Sequence, residues 1–285
     1  MHGTSSAIHQ IDFPAGIAGH GRVTLEQVDS RSVVTQRIAH SPLKILATRS
    51  GTAAWLFTST YGGGLVDGDE VSLHLDCGSN TRCLLSTQSS TKVYRCPTSV
   101  CRQELHTTID GGAVFVSLPD PLVCFTRAKF KQRQTFELRE DAGLIALDWF
   151  TAGRMARGEK WAFDLYQSET RVEVDCKAVF LDRLRLAATD GDLNDPMRMG
   201  RVGCFGTCVI AGAKMKNVVD ELLQFIGDQP SPPRGPVLFA ASPINHGGAV
   251  LRFAATSTEA AGKWLADRLS FVSNFVGENP WSRKW

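Results

Sequence analysis

Glu70-Val71-Ser72-Leu73-His74-Leu75-Asp76-Cys77-Gly78 is the stretch that decides the fold class. Successive side chains of a strand point to opposite faces, so Val71, Leu73, Leu75 and Cys77 share one face and Ser72, His74 and Asp76 the other. Alternation of this kind predicts a half-buried antiparallel strand. Runs with the same period recur over 21–28, 32–38, 53–59, 82–87, 113–118, 125–139, 144–150, 161–175 and 178–186. Turn chemistry separates them, as in Asp67-Gly68, Asp110-Gly111-Gly112, Asp141-Ala142-Gly143 and Asp190-Gly191-Asp192, and no crossover helix intervenes. The expected fold class is mainly β.

The last eighty or so residues change period. Asn217 to Ile226 carries Val218, Leu222, Leu223 and Phe225 at helical spacing and stops at Gly227. A second helix is expected where Thr256 and Glu259 have capping-box spacing, Trp264, Leu265, Leu269, Val272, Phe275 and Val276 form an apolar stripe, and Gly277 and Pro280 end it. Between the two, 230–236 reads as a stiff proline-rich loop and 237–256 as a hairpin around His246-Gly247-Gly248. Residues 1–20 read as a flexible N-terminal segment and 203–285 as a mixed α/β part, with no internal repeat.

Composition narrows the function classes. The chain has 285 residues, 43% of them apolar and 21% charged, which excludes a disordered or fibrous protein. A formal net charge of +2 gives a polyanion no hold without a concentrated basic patch, so nucleic acid is not an expected partner. Met1 to Ser6 shows no secretory pattern and no apolar run is long enough to span a bilayer. Eight scattered cysteines, none in a C-x-x-C pair, are expected to stay reduced in a cytoplasm and to pack as small hydrophobes.

Four segments invite a chemical reading. Tyr61-Gly62-Gly63-Gly64-Leu65-Val66-Asp67-Gly68-Asp69 lacks the Gly-Lys-Ser/Thr of a phosphate loop and leads into a strand, leaving a hairpin with two spare carboxylates. Ser89-Ser90-Thr91-Lys92 matches S-x-x-K, in which Lys activates a Ser nucleophile, but its companion motifs are missing and it should open a helix. Gly153-Arg154-Met155-Ala156-Arg157-Gly158-Glu159-Lys160 is a charged loop with internal ion pairing, whose two arginines are also suited to clamp a carboxylate or an acidic partner. His246 before two glycines reads as a surface turn, and no tight metal site is written in the spacing of His, Cys, Asp or Glu.

Taken in order, Gly62-Gly63-Gly64 with Gly68-Asp69, Ser86 to Arg95, Leu118 to Phe125 with Ala128 and Gln132, Gly153 to Glu159, and the terminal Pro280-Trp281-Ser282-Arg283 resemble the urease accessory protein UreD (UreH) family. The Ser89-Ser90 pair departs from the pattern, where one alanine is more usual. The resemblance implies one domain over 1–285, an elongated structure of stacked antiparallel sheets of β-sandwich or helical-β type with two helices in the C-terminal third. It also implies a non-enzymatic chaperone that binds apo-urease and a helical UreF-like partner, which recruits a UreG-like GTPase for nickel delivery.

A site that passes Ni(II) on needs weak, exchangeable oxygen ligands rather than several thiolates or imidazoles. Asp67, Asp69, Thr91, Tyr94 and Glu159 are the candidates for such a path, and Arg154, Arg157, Lys92 and Arg95 for partner contact. No tightly bound cofactor is expected, only transient Ni(II). The competing readings are a serine hydrolase using Ser89 and Lys92, or a β-rich protein-binding module.

Overall fold

The computed structural model of the chain describes residues 17–229, 232 and 234–283. The expected flexible segment therefore falls outside the described residues up to residue 16, and the proline-rich loop is described only at 232 and 234–236. The strands are β1 (His20–Val28), β2 (Arg31–Ala39), β3 (Leu43–Ser50), β4 (Ala53–Thr60), β5 (Glu70–Cys77), β6 (Arg82–Thr87), β7 (Lys92–Val93), β8 (Cys101–Ile109) and β9 (Val114–Ser117). They continue as β10 (Leu122–Cys124), β11 (Lys129–Leu138), β12 (Gly143–Thr151), β13 (Leu165–Val174), β14 (Lys177–Ala187), β15 (Cys204–Ala211), β16 (Val237–Ile244) and β17 (Gly248–Ala255). Among the described residues the helices are α1 (Lys216–Asp228), α2 (Thr258–Arg268) and the short α3 (Ser273–Val276).

The strands form two facing sheets. One has seven strands in the order β14-β13-β11-β8-β5-β1-β2. The other has ten, with β16-β17-β15-β12-β9-β6-β4-β3 as its main path and β10 and β7 joined at its side. From β4 to β13 the chain crosses from one sheet to the other at almost every step, so each coil stacks on the one before it. Ala54 pairs with Cys83, Arg82 with Val114 and Val114 with Gly143, offsets of roughly 30 residues, within the range of solenoid repeats.

This corrects the expected antiparallel pairing. The pairs β1/β5, β5/β8, β8/β11, β11/β13, β4/β6, β6/β9 and β9/β12 are all parallel. Antiparallel pairs occupy the two ends, as β1/β2 and β3/β4 at one and β13/β14, β12/β15, β15/β17 and β16/β17 at the other. Period-two alternation reports only that a strand has one buried face. Parallel neighbours need a crossover, and here the opposite sheet supplies it instead of a helix. The repeat that the sequence conceals is thus a repeat of coil length, not of residues.

The main core lies between the sheets, where Leu25, Leu56, Leu75, Phe115, Phe130 and Phe136 are fully buried. A second core lies outside the ten-stranded sheet, where Trp55, Val116, Ile145 and Leu251 meet Val219 and Leu222 of α1, Leu265 of α2 and Val276 of α3. Strand β12 is buried on both faces, Leu144, Ala146 and Phe150 toward the first core and Ile145, Leu147 and Trp149 toward the second. Each fully buried side chain of this size contributes about 1.5–3 kcal/mol. No helix among the described residues is long and apolar enough to cross a membrane.

The C-terminal helices differ in detail from expectation. Ser257, not Thr256, caps α2: its hydroxyl accepts the Ala260 N–H at 3.2 Å, and Glu259 sits in the first turn. The single second helix is broken by a tighter turn at Ser270–Val272, which redirects the chain as α3 toward β4. There the Trp55 indole N–H donates to the Val276 carbonyl at 2.8 Å and the Glu278 N–H to Ser50 Oγ at 3.0 Å. Replacing Trp55 by Phe leaves that buried carbonyl without its indole donor, and should lower stability by about 1–3 kcal/mol in urea denaturation. An unchanged midpoint would show that the bond does not hold the C-terminal segment to the sheet.

Candidate functional site

Parallel stacking has a consequence for the loops. Connections from the ten-stranded to the seven-stranded sheet span 61–69, 88–100, 118–128 and 152–164, and in-register coils place them side by side along one edge. The return connections 78–81, 110–113 and 139–142 are tight. Gly62 to Asp69, Ser89 to Arg95, Leu118 to Phe125 and Gly153 to Glu159 all belong to the long set. The expected hairpin at 61–69 is instead a crossing between sheets.

The edge carries its own backbone ladder. Leu65 N–H donates to Lys92 O at 2.8 Å, Tyr94 N–H to Leu65 O at 2.9 Å, and Val123 and Phe125 N–H to Thr91 and Val93 O at 2.9 Å each. Strand β10 then pairs in parallel with β12. Side chains stack over this ladder. A Cβ at Gly64 would sit 2.7 Å from the Tyr94 ring and 2.6 Å from Lys92 O, so the extended Gly64 is required for space rather than for its φ. The Tyr94 and Phe125 rings meet edge to face at 5.1 Å, and the Arg154 guanidinium lies 4.1 Å over Phe125.

Arg154 and Glu159 close this column. Arg154 Nε donates to Glu159 Oε2 at 2.9 Å, its Nη2 donates to Oε1, and Thr126 N–H reaches Oε2 at 3.3 Å. The Arg154 hydrogen bonds hold the Glu159 carboxyl below the usual carboxylate range. Arg157 instead is exposed and makes no ion pair with any described residue. The two arginines framed by glycines therefore differ: Arg154 props the loop, and Arg157 is free to meet a partner.

The paired aspartates are also bound within the edge. Asp67 accepts the N–H of Ser99 at 2.7 Å, the N–H of Thr98 at 3.2 Å and the Thr98 hydroxyl. That hydroxyl is the main reason its carboxyl is depressed. Asp69 accepts the Val66 N–H at 2.8 Å. Beneath them Cys101 donates to Val66 O at 3.1 Å and Cys96 to Tyr94 O at 3.2 Å, with the two sulfurs 3.5 Å apart. Lys92 and Arg95 project from the edge, exposed. Ser89 is exposed in a loop that opens no helix, and no hydrogen bond joins it to Lys92.

Of the named residues only Thr91 reaches the interior, where a cavity of about 60 Å³ between the sheets is lined by Thr58, Thr91, Gln103, Gln132, Gln134 and Asp148. A neighbouring cavity of about 70 Å³ shares Thr58, Thr91 and Gln103. Both are large enough for water, the first lined by several polar side chains and the second also by Leu43, Val71, Leu73, Leu85 and Leu105. Asp148 keeps accessible surface because it faces this space rather than the exterior. Its Oδ2 accepts the Ser168 hydroxyl at 2.7 Å, and Gln132 Nε2 donates to that hydroxyl at 2.9 Å. Asp148 has no ion-pair partner among the described residues, and burial raises its pKa above the usual value. Asp148 went unnoticed in sequence, although a lone carboxylate inside Leu144-Ile145-Ala146-Leu147-Asp148-Trp149-Phe150 is a readable signal. Among the described residues no three His, Cys, Asp or Glu side chains converge on a metal position.

A stacked two-sheet scaffold with a preorganised loop edge and a partly polar interior cavity defines a class of protein that presents surfaces and a cavity. Its residues 18–285 match the family described as UreD urease accessory protein. The chain is 42% identical to the urease accessory protein UreD of Sorangium cellulosum over 95% of this chain and 86% of that one. It is 41% identical to its namesake in an Anaeromyxobacter species, over 93% and 89% of the two chains. It is 33% identical to urease accessory protein D of Arabidopsis thaliana, over 92% and 99%. The chain belongs to the UreD urease accessory protein family.

Two outcomes follow from these environments. Arg154→Ala should lower the thermal midpoint at neutral pH while Arg157→Ala leaves it unchanged. The deficit should shrink on acidification, because a depressed carboxyl stabilises the fold only above its unfolded pKa of about 4.3 and loses that effect as pH falls through its folded value. Equal midpoints for the two variants would remove the distinction. Asp148→Asn should have the opposite sign. A raised folded pKa costs stability at neutral pH, so the variant should be more stable than the parent there. Its advantage should fade as pH drops through the folded pKa toward about 3.9. A variant less stable than its parent at pH 7 would show that the carboxylate is held by favourable interactions instead.

Proposed function

We propose that the chain acts in urease maturation, holding apo-urease together with a helical UreF-like partner while a UreG-like GTPase drives nickel delivery. Family membership over residues 18–285 and relatives named urease accessory protein across nearly their whole length support the maturation role. The carrying structural observation is Asp148, a carboxylate without a counter-cation in a polar interior cavity. Amide, hydroxyl and carboxylate oxygens with water bind a divalent cation weakly enough to release it. On this reading nickel is cargo, moving past Thr91 and Gln103 toward Asp148, while Asp67, Asp69, Tyr94 and Glu159 shape the edge around it. The proposed setting is the cytoplasm, where eight thiols stay reduced.

A serine hydrolase gains no support from an exposed Ser89 that no hydrogen bond joins to Lys92. Co-expression of urease and its accessory proteins with and without this chain, reading nickel content and urease activity together, tests the role. Omission should leave urease poor in nickel and inactive. The Asp148→Asn variant should assemble with apo-urease yet load less nickel. Full loading without the chain would overturn the maturation role, and full loading with Asp148→Asn would move the path elsewhere.

A further inference from the structure

We propose that a cleft on the tight-loop edge, opposite the long loops, binds a small phosphate monoester between Arg82 and Lys214. The inference is independent of the maturation reading. The cleft has a volume of about 640 Å³, within the range of small-molecule sites. The first coils and the C-terminal segment build it together, from the β1/β2 and β3/β4 turns, the return turns before β6 and β9, the turn before α1, and Phe275 of α3. Arg82 and Lys214 are exposed, line this one space and make no ion pair with any described residue. Among the described residues no carboxylate lines it. Asp29 precedes the lining Ser30, and Asp141 lies against Gly111, where a Cβ would sit 3.1 Å from its Oδ1; both stand outside the lining. The charged groups that face the cleft are therefore both cations.

Strand register sets their separation. Arg82 pairs with Val114 and Val114 with Gly143, and a Cβ at Gly143 would lie 3.3 Å from Lys214 Cβ. Adjacent strands lie about 4.8 Å apart, so the two cations start roughly 10 Å from each other, with Val114 as the floor between them. That gap fits one tetrahedral oxyanion met from both sides, the guanidinium taking two oxygens as a fork and the ammonium a third. A singly charged carboxylate offers two oxygens in one plane and leaves one cation unmatched. Gln27, Ser30, Thr52 and Asn80 add neutral donors around the rim, and Phe275 with Val114 gives the ester's organic group an apolar wall. The lining is held before any ligand arrives. Arg82 N–H donates to Ser32 Oγ at 2.7 Å, Ser32 N–H to Thr52 O at 2.8 Å and Asn80 N–H to Gly111 O at 3.0 Å, and the Trp55 bond to the Val276 carbonyl fixes α3 beside it.

Isothermal titration calorimetry of the full chain with phenyl phosphate tests the site. Saturable binding is expected, and the ligand should raise the thermal midpoint because it binds the folded state alone. Arg82→Gln/Lys214→Gln should lose roughly tenfold in affinity with the ligand-free midpoint unchanged. Lys131→Gln/Arg133→Gln removes the same charge from the outer face of β11 and should bind within about twofold of the parent. Absence of saturable binding, or equal loss in both variants, would overturn the site. Benzoate binding as tightly as phenyl phosphate would overturn the choice of a phosphate ligand. Binding that appears only in Asp29→Asn/Asp141→Asn would show that the flanking carboxylates cancel the two cations, and would overturn the proposal as well.

Discussion

Backbone hydrogen bonding between successive coils is the constraint on which the rest depends. A strand in the middle of either sheet satisfies its N–H and C=O groups with the coil before and the coil after, so register is shared by the whole stack. A one-residue slip of β11 would turn Phe130 and Phe136 outward and Lys131 and Arg133 into the core. The tight return loops leave no slack for such a slip. Gly112 has φ 73°, and a Cβ there would lie 2.2 Å from Asn80 Oδ1 in the loop of the preceding coil. Length variation is confined to the opposite edge, which is why the longest connections gather there. The ends of the stack are closed by antiparallel strands, and Arg31 and Arg37 place charge on the exposed β2, where an open edge would invite pairing with other chains.

The same register sorts charge into three regimes. On the outer face of the seven-stranded sheet, Glu104, Arg133, Glu169 and Arg183 come from four neighbouring strands and form one line of ion pairs. These pairs are exposed, so each contributes at most about 1 kcal/mol, and their effect is to neutralise the face. Between the sheets Asp148 has hydrogen bonds but no cation, an arrangement that opposes stability and persists beside a water-sized cavity. Along the loop edge the signs mix, with exposed Lys92, Arg95, Arg127 and Arg157 beside the carboxylates Asp67 and Asp69. A self-neutral wall, an interior carboxyl and a rim of mixed charge all derive from which residues each coil places at equivalent positions.

Much of this was legible in sequence, for identifiable reasons. Alternation located β1, β2, β4, β5, β6, β9, β12 and β14 because their faces differ in polarity. It overran β11 and β13, since Phe125–Ala128 and Trp161–Asp164 alternate without joining the ladder, and it missed β8, where Arg102, Gln103 and Glu104 interrupt the pattern. Pairing direction was out of reach, because it is a relation between coils roughly 30 residues apart with no residue repeat to mark it. The site divided in the same way. The glycine-rich and arginine-bearing loops were found as motifs, but whether Arg154 or Arg157 is free depends on Phe125 and Glu159 folding against one of them. Asp148 stands out in sequence among apolar neighbours that serve two different cores, but only the structure shows the cavity it faces.

The thiols beneath the loop edge have a structural role. Thiolates hold transition-metal cations tightly, and burial in apolar surroundings keeps a thiol protonated. Burial does this here: Cys101 is pushed up to about 12, mainly by desolvation and then by Cys96, and Cys124 is raised further by burial. Cys96 and Cys101 meanwhile spend their S–H groups on carbonyls that hold the loop edge. At neutral pH Cys101 and Cys124 are thus protonated packing groups. Seven of the eight cysteines pack as composition predicts, whereas Cys176 is exposed in the turn between β13 and β14.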